Sequence, residues 1–202
     1  MSRPVVVIVD DDEPLRDSIS LMLQIQGHET KAFPSASAVL EWLRPETQAV
    51  VVSDVRMPGM SGLELIQTMR AHHCLQPAIM VTAHADVPLA VQAMKAGASD
   101  FFEKPFDAME LARAVTRLID GLKAAAAVSS ERAAIELRLA SLSVRETEVL
   151  EQLVEGKLNK VIAHNLSISP RTVEVHRSNI LAKMGVRNTP ELIHLILSIG
   201  RT

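Results

Sequence analysis

Apolar positions come in short unbroken runs over residues 1–121: Pro4 to Val9, Ala49 to Val52, Ala78 to Val81, and a shorter aromatic pair, Phe101-Phe102. These runs predict strands near 4–9, 28–33, 48–53, 77–82 and 99–102. Between them apolar residues recur at helical spacing, which predicts helices near 13–26, 35–44, 62–72, 87–96 and 107–120. Leu15, Ile19, Met22 and Leu23 share one helical face, and Met109, Ala112, Val115 and Ile119 share another. Asp12 or Glu13 caps the first helix, since Pro14 suits a first turn. Ser61 and Glu64 have capping-box spacing before the third helix, and Asp107 with Glu110 imitates it before the fifth. Alternating β and α elements with nearly continuous strand hydrophobicity predict a doubly wound five-stranded parallel sheet, covered on both faces.

The pattern then changes twice. Residues 122–140 run through Ala124 to Ala127 and Val128 to Glu136 with strong helix propensity except at Ser129-Ser130. This linker either extends the fifth helix or forms a flexible tether, and both remain open. Residues 141–202 lack strand-like alternation and predict a small all-α domain. Ser143 and Glu146 form a capping box for a helix that Gly156 ends. A second helix spans about Lys157 to Leu166. Ser169 followed by Pro170 starts a third through Met184, with Gly185 as stop. Thr189-Pro190 repeats the device for a fourth, ending near Ile199.

Composition narrows the chemistry. The single cysteine, Cys74, excludes an internal disulfide and a thiolate cluster, and it is expected to be a buried spectator. The chain shows no signal-peptide pattern and no membrane-length apolar run, so a soluble cytoplasmic protein with no membrane partner is expected. Charge is uneven. Residues 1–121 hold 10 Lys and Arg against 16 Asp and Glu, a balance of −6; residues 122–202 hold 11 against 8, a balance of +3. An acidic front and a basic back suit two jobs, the second on an anionic partner.

Four strand-like runs each deliver a polar group: Asp10, Asp11 and Asp12 after the first, Asp54 after the third, Thr82 after the fourth, Lys104 after the fifth. In an open parallel sheet those carboxyl ends lie side by side, where ligands bind. Packed carboxylates repel unless a cation neutralises them, and hard oxygen ligands suit Mg²⁺. An aspartate there can act as nucleophile toward a phosphoryl group. Lys104 and the Thr82 hydroxyl can each meet a phosphate oxygen.

Val9-Asp10-Asp11-Asp12, Asp54 through Gly62, Val81-Thr82-Ala83 and Lys104-Pro105 resemble the receiver domain of two-component response regulators, a flavodoxin-like fold, over residues 1–121. The resemblance implies that Asp54 accepts phosphate from a sensor histidine kinase. It implies that Asp11, Asp54 and the Arg56 carbonyl ligate Mg²⁺, that Asp10 helps through water or from the outer shell, and that Lys104-Pro105 is cis. It further implies a switch: the phosphate draws in Thr82, Phe101 turns inward, and the fourth helix forms a face for a homodimer. Val91, Met94 and Lys95 are the candidates for that face. Phe102, next along the strand, is the alternative core residue. Arg56 and His84 flank the site and are placed to tune loss of the phosphate, although His84 equally suits a solvated loop.

Asn159 to Ala163 and Arg171 to Arg177 fit a helix-turn-helix, with Ala163 at the helix crossing and Leu166, Ile168, Val173 and Ile180 as core. A four-helix interaction module without DNA fits equally on charge and turn chemistry. Leu142 to Glu146, Asn159 to Ala163 and Arg171 to Arg177 resemble the LuxR-type DNA-binding domain, and with the receiver in front the whole resembles FixJ-type response regulators. The resemblance implies that the third helix of this end enters the major groove of promoter DNA. Glu174, Val175 and Ser178 then face base edges, while Lys160, Arg171, Thr172, Arg177 and Lys183 contact phosphates. His176 packs inside or faces phosphate. A phosphorylation-switched transcription regulator follows, an activator in contact with RNA polymerase. Two competitors remain: a phosphoaspartate-type phosphatase, disfavoured because Arg56 stands where a second acid is usual, and a DNA-binding protein whose receiver only dimerises.

Overall fold

The computed structural model describes residues 3–200. The chain divides into two units, Met1–Ala125 and Ala126–Thr202. The outer domain limits expected at residues 1 and 202 lie outside the described residues.

In the first unit the strands are β1 (Val5–Val9), β2 (Glu29–Phe33), β3 (Ala49–Asp54), β4 (Ala78–Thr82) and β5 (Asp100–Glu103). They alternate with α1 (Glu13–Ile25), α2 (Ala36–Trp42), α3 (Gly62–Ala71) and α4 (Val87–Ala96), and α5 (Ala108–Ala140) follows. All pairings are parallel, in the order β2-β1-β3-β4-β5. Side chains alternate between the two faces of a strand, and the sheet has a core on each. Val7, Val9, Val51 and Met80 pack with Val39, Leu65, Ile66, Met69 and Ala93 of α2, α3 and α4. Val6, Ile8, Val50, Val52, Ile79 and Val81 pack with Ile19 and Leu23 of α1 and Leu111, Val115 and Ile119 of α5. That double covering is why the first four residues of β3 and of β4 are apolar without alternation and both strands are buried throughout.

Helix ends follow local chemistry. Asp12 is the cap of α1, its side chain accepting from the Leu15 N–H. Ser61 and Glu64 form a complete reciprocal box on α3. Asp107 caps α5 from one side only, accepting from the Met109 N–H at 2.7 Å. Met109 is half exposed, so the inner face of α5 passes instead through Leu111, Ala112, Ala114 and Val115. Cys74 is buried, and the Lys104-Pro105 bond is cis.

The segment expected as a linker, 122–140, lies within α5. In the second unit Ile135 and Leu139 of that helix join a core with α6 (Val144–Val154), α7 (Asn159–Leu166), α8 (Pro170–Met184) and α9 (Thr189–Ser198). Val149, Leu153, Ile162, Ala163, Val173, Ile180 and Leu192 fill that core, with Leu166 and Ile168 partly buried against it. Ser143, Ser169 and Gly185 act as expected, as box, cap and left-handed stop. Two ends differ. The cap of α9 is Asn188, which accepts from the Glu191 N–H, so Thr189 is the first helical residue. Helix α7 begins at Asn159, and Leu158 before it offers no side-chain cap. Among the described residues no helix is long and apolar enough to cross a membrane.

Candidate functional site

Sheet register builds the acidic site of the first unit. Val9 pairs with Ser53, so Asp10 leaves β1 beside Asp54, the last residue of β3. Val81 pairs with Asp54, and Thr82 with Glu103, which precedes Lys104. Four strand ends therefore bring Asp10, Asp11, Asp54, Thr82 and Lys104 to one edge of the sheet.

The Lys104 ammonium ties the carboxylates together. It lies 2.8 Å from Asp10 Oδ2 and 3.3 Å from Asp54 Oδ2. Burial alone pushes the Lys104 ammonium down, but hydrogen bonding to Asp10 and the two neighbouring carboxylates outweigh it and hold it above the usual lysine range. The Asp54 carboxyl is held above its ordinary range chiefly by burial; Lys104 opposes that, and the Asp10 carboxylate adds to it. Asp54 Oδ1 accepts from the Arg56 N–H at 3.4 Å. Asp10 is fully engaged: Oδ1 accepts from the Asp12 N–H at 2.9 Å and Oδ2 from Lys104.

Asp10, Asp11 and Asp54 each offer an oxygen, all within 4.8 Å of one another. An all-carboxylate set with one exposed member suits a hard cation that keeps part of its water shell, as Mg²⁺ does. Both Asp10 oxygens are held at 2.8–2.9 Å and the two Asp54 oxygens only at 3.3–3.4 Å, so Asp54 and the exposed Asp11 are the freer ligands. The Arg56 side chain is exposed and has no hydrogen-bond or ion-pair partner among the described residues.

Thr82 is buried, and its hydroxyl belongs to a local turn: the His84 N–H donates to Oγ1 at 3.3 Å, and Oγ1 donates to the His84 carbonyl at 3.4 Å. Phe101 is half-buried with Leu89 of α4 in the first core, whereas Phe102 packs in the second, edge-on to Phe106 at 6.3 Å between ring centroids. Val91 and Met94 stand exposed on α4 at 45% and 51%, and Lys95 beside them is exposed as well.

Three residues at this edge escape sequence reasoning. Arg16 on α1 donates to the Asp10 carbonyl at 2.7 Å. Gly62 leaves no room for a side chain, since a Cβ would lie 2.2 Å from the Asp54 carbonyl oxygen. Glu103 Oε1 accepts from the Ala85 N–H at 3.3 Å. Gly62 was visible inside the quoted motif but not its reason; Arg16 and Glu103 look like ordinary surface charges.

In the second unit α7, a short turn and α8 form the helix-turn-helix. Val173, Ile180 and Met184 point inward on α8. Arg171, Glu174, Val175 and Ser178 are exposed, and their spacing puts them on one face. Lys160 on α7 is exposed and Arg177 half-buried, while Thr172 hydrogen-bonds Ser169 at 2.8 Å beside the cap. His176 is half-buried. Lys183 has partners within its own unit. Its ammonium meets Glu146 Oε2 at 2.6 Å and the Ser141 carbonyl at 3.2 Å, so it braces α8 against α6. Glu146 is buried, and hydrogen bonds from Lys183 and then from the Ser143 N–H hold its carboxyl down to about 2.

Residues 6–116 match the family model of the response regulator receiver domain, and residues 140–196 match that of bacterial regulatory proteins of the luxR family. The chain is 45% identical to the transcriptional regulatory protein FixJ of Rhizobium meliloti (strain 1021), over 99% of this chain and 98% of that one. Among solved structures, the response regulator StyR aligns with a TM-score of 0.85 at 39% identity, covering 97% of this chain and 99% of its own. Full-length FixJ from B. japonicum aligns with a TM-score of 0.60 at 41% identity, covering 99% and 98%.

Proposed function

Because this chain belongs to the response regulators, with a receiver domain followed by a luxR-family domain, it is a two-component transcriptional regulator, and we propose that Asp54 is its phosphoacceptor. The receiver implies a histidine kinase as partner, and the luxR-type domain implies DNA binding. The observation that carries the assignment is the buried Asp54 carboxylate, set between the Lys104 ammonium and two further aspartates at the carboxyl edge of the sheet.

An ionised Asp54 oxygen attacks phosphorus, the new O–P bond forms, and the N–P bond to the kinase imidazole breaks with its electron pair on nitrogen. Asp11 and Asp54, with the Arg56 carbonyl, would hold Mg²⁺, which supplies charge neutralisation at the phosphoryl oxygens. Lys104 stays protonated and is positioned to exchange part of its contact with Asp54 for a phosphoryl oxygen. Asp10 keeps Lys104 in place through the 2.8 Å pair. Thr82 leaves its turn with His84 to donate to another phosphoryl oxygen. Phe101, which packs against the same core as Leu89 of α4, transmits that shift to α4, whose exposed Val91, Met94 and Lys95 then meet a second copy.

In the second unit α8 is the recognition helix. Glu174, Val175 and Ser178 face bases; Lys160, Arg171, Thr172 and Arg177 face phosphates. Lys183 acts indirectly, by holding α8 on α6.

The test is the intact mass after incubation with acetyl phosphate and Mg²⁺. Wild type gains one phosphoryl group and Asp54→Asn gains none. An equal gain in both proteins would put the phosphoacceptor elsewhere.

A further inference from the structure

Glu103 is the last residue of β5 and the register partner of Thr82. Its backbone lies in the sheet, but its carboxylate reaches the turn after β4 and accepts from the Ala85 N–H at 3.3 Å. That turn is short. Thr82 closes its start through the two contacts with His84. Asp86 ends it by capping α4, accepting from the Leu89 N–H at 2.6 Å. Between those fixed points Ala85 is held from outside by Glu103 alone among the described residues. Next to Glu103, the Lys104 N–H donates to the Thr82 carbonyl at 2.7 Å, so the last residue of β5 and the one after it bind the middle and the start of the turn.

We propose that Glu103 is a positioning residue that tethers the β4–α4 turn in the arrangement where the Thr82 hydroxyl is bonded to His84. The consequence rests on the assignment of Asp54 as phosphoacceptor. For Thr82 to reach a phosphoryl group on Asp54, its hydroxyl must leave the His84 backbone, and the turn carrying His84 and Ala85 must shift with it. A hydrogen bond to Ala85 stabilises the starting arrangement and lowers the population of the competent one. Glu103 thereby sets how readily the site accepts a phosphoryl group, without touching that group. Only an acceptor oxygen is needed, so a glutamine can replace the glutamate and an alanine cannot.

The experiment compares wild type, Glu103→Ala and Glu103→Gln in the full chain. Amide hydrogen exchange over residues 83–89 is measured first, without any phosphoryl donor. A time course of intact mass with acetyl phosphate and Mg²⁺ follows, with Asp54→Asn as blank. Loss of one partly exposed hydrogen bond to a charged acceptor should speed exchange in Glu103→Ala by about threefold to tenfold, with a similar gain in phosphorylation rate. Glu103→Gln should match wild type in both. Equal exchange in Glu103→Ala and wild type overturns the tether, whatever the masses show. Faster exchange with an unchanged phosphorylation rate overturns its link to Asp54. If no protein gains mass, wild type included, the phosphoacceptor assignment fails and the link with it, while the exchange data still decide the tether.

Discussion

At the scale of single residues, the site depends as much on what is missing as on the carboxylates. Gly62 begins α3, and its own N–H donates to the Val55 carbonyl at 3.0 Å. A methyl group there would stand 2.2 Å from the Asp54 carbonyl oxygen, which is backbone and cannot swing aside. Gly62→Ala should cost about 2 kcal/mol, read from the urea midpoint, and should slow phosphoryl acceptance by displacing Asp54. Glu146 offers a second test at this scale. Its folded pKa is about 2 against an ordinary 4.5. A depressed carboxyl contributes its full stability above the ordinary value and loses it as pH falls from there toward 2. The Lys183 partner is 39% exposed, so solvent weakens the pair and about 1–2 kcal/mol is expected. In denaturant melts Glu146→Gln should be less stable by that amount at pH 7, and the deficit should shrink between pH 4.5 and 2. An unchanging deficit across that window would assign the effect to packing. Local pattern could reveal the box partner of Glu146, because Ser143 stands three residues before it. It could not reveal Lys183, which arrives from another helix.

Elements show where sequence pattern carries and where it stops. The strands were legible because β1, β3 and β4 are covered on both faces, and burial on both sides demands an unbroken apolar run. The fate of residues 122–140 was not. Alanines favour helix and Ser129-Ser130 oppose it, so propensity leaves the balance open. Ile135 and Leu139 reach a core that is assembled only in the fold. The start of α9 is a finer case. Asn188 and Thr189 are both good caps, and Pro190 fits the first or second helical position, so the sequence allows either. The structure uses Asn188, and the Thr189 hydroxyl is buried without a hydrogen-bond partner among the described residues. Asn188→Ala should therefore destabilise the second unit by about 1 kcal/mol. Thr189→Val, which removes the unpaired hydroxyl and keeps the shape, should be neutral or stabilising. Thermal or urea denaturation of both variants checks the pair, and the opposite order would return the cap to Thr189.

For the whole molecule, the two parts of the sequence divide chemistry from address. Residues 1–121 carry the acidic site and a balance of −6, and residues 122–202 carry the DNA-facing helices and only +3. A weakly basic unit neutralises few phosphates, and non-specific affinity scales with phosphates neutralised. One copy should thus bind a half-site poorly, and tight binding requires two copies on two half-sites, the second gaining from effective concentration. If α4 supplies the contact between copies, phosphorylation acts on DNA affinity through dimerisation rather than through new DNA contacts. Fluorescence anisotropy at fixed salt, with a two-half-site and a one-half-site fragment selected by wild type, separates these effects. Phosphorylated wild type should prefer the two-half-site fragment by at least about tenfold, and Asp54→Asn should show no response to the donor. Lys160→Ala should weaken both fragments equally and flatten the salt dependence, because a phosphate contact carries no sequence. Glu174→Ala should instead narrow the gap between selected and scrambled sequences by about 1–3 kcal/mol while leaving the salt slope unchanged. A donor response confined to the one-half-site fragment would show that phosphorylation changes the DNA-binding unit itself, and dimerisation through α4 would lose its role.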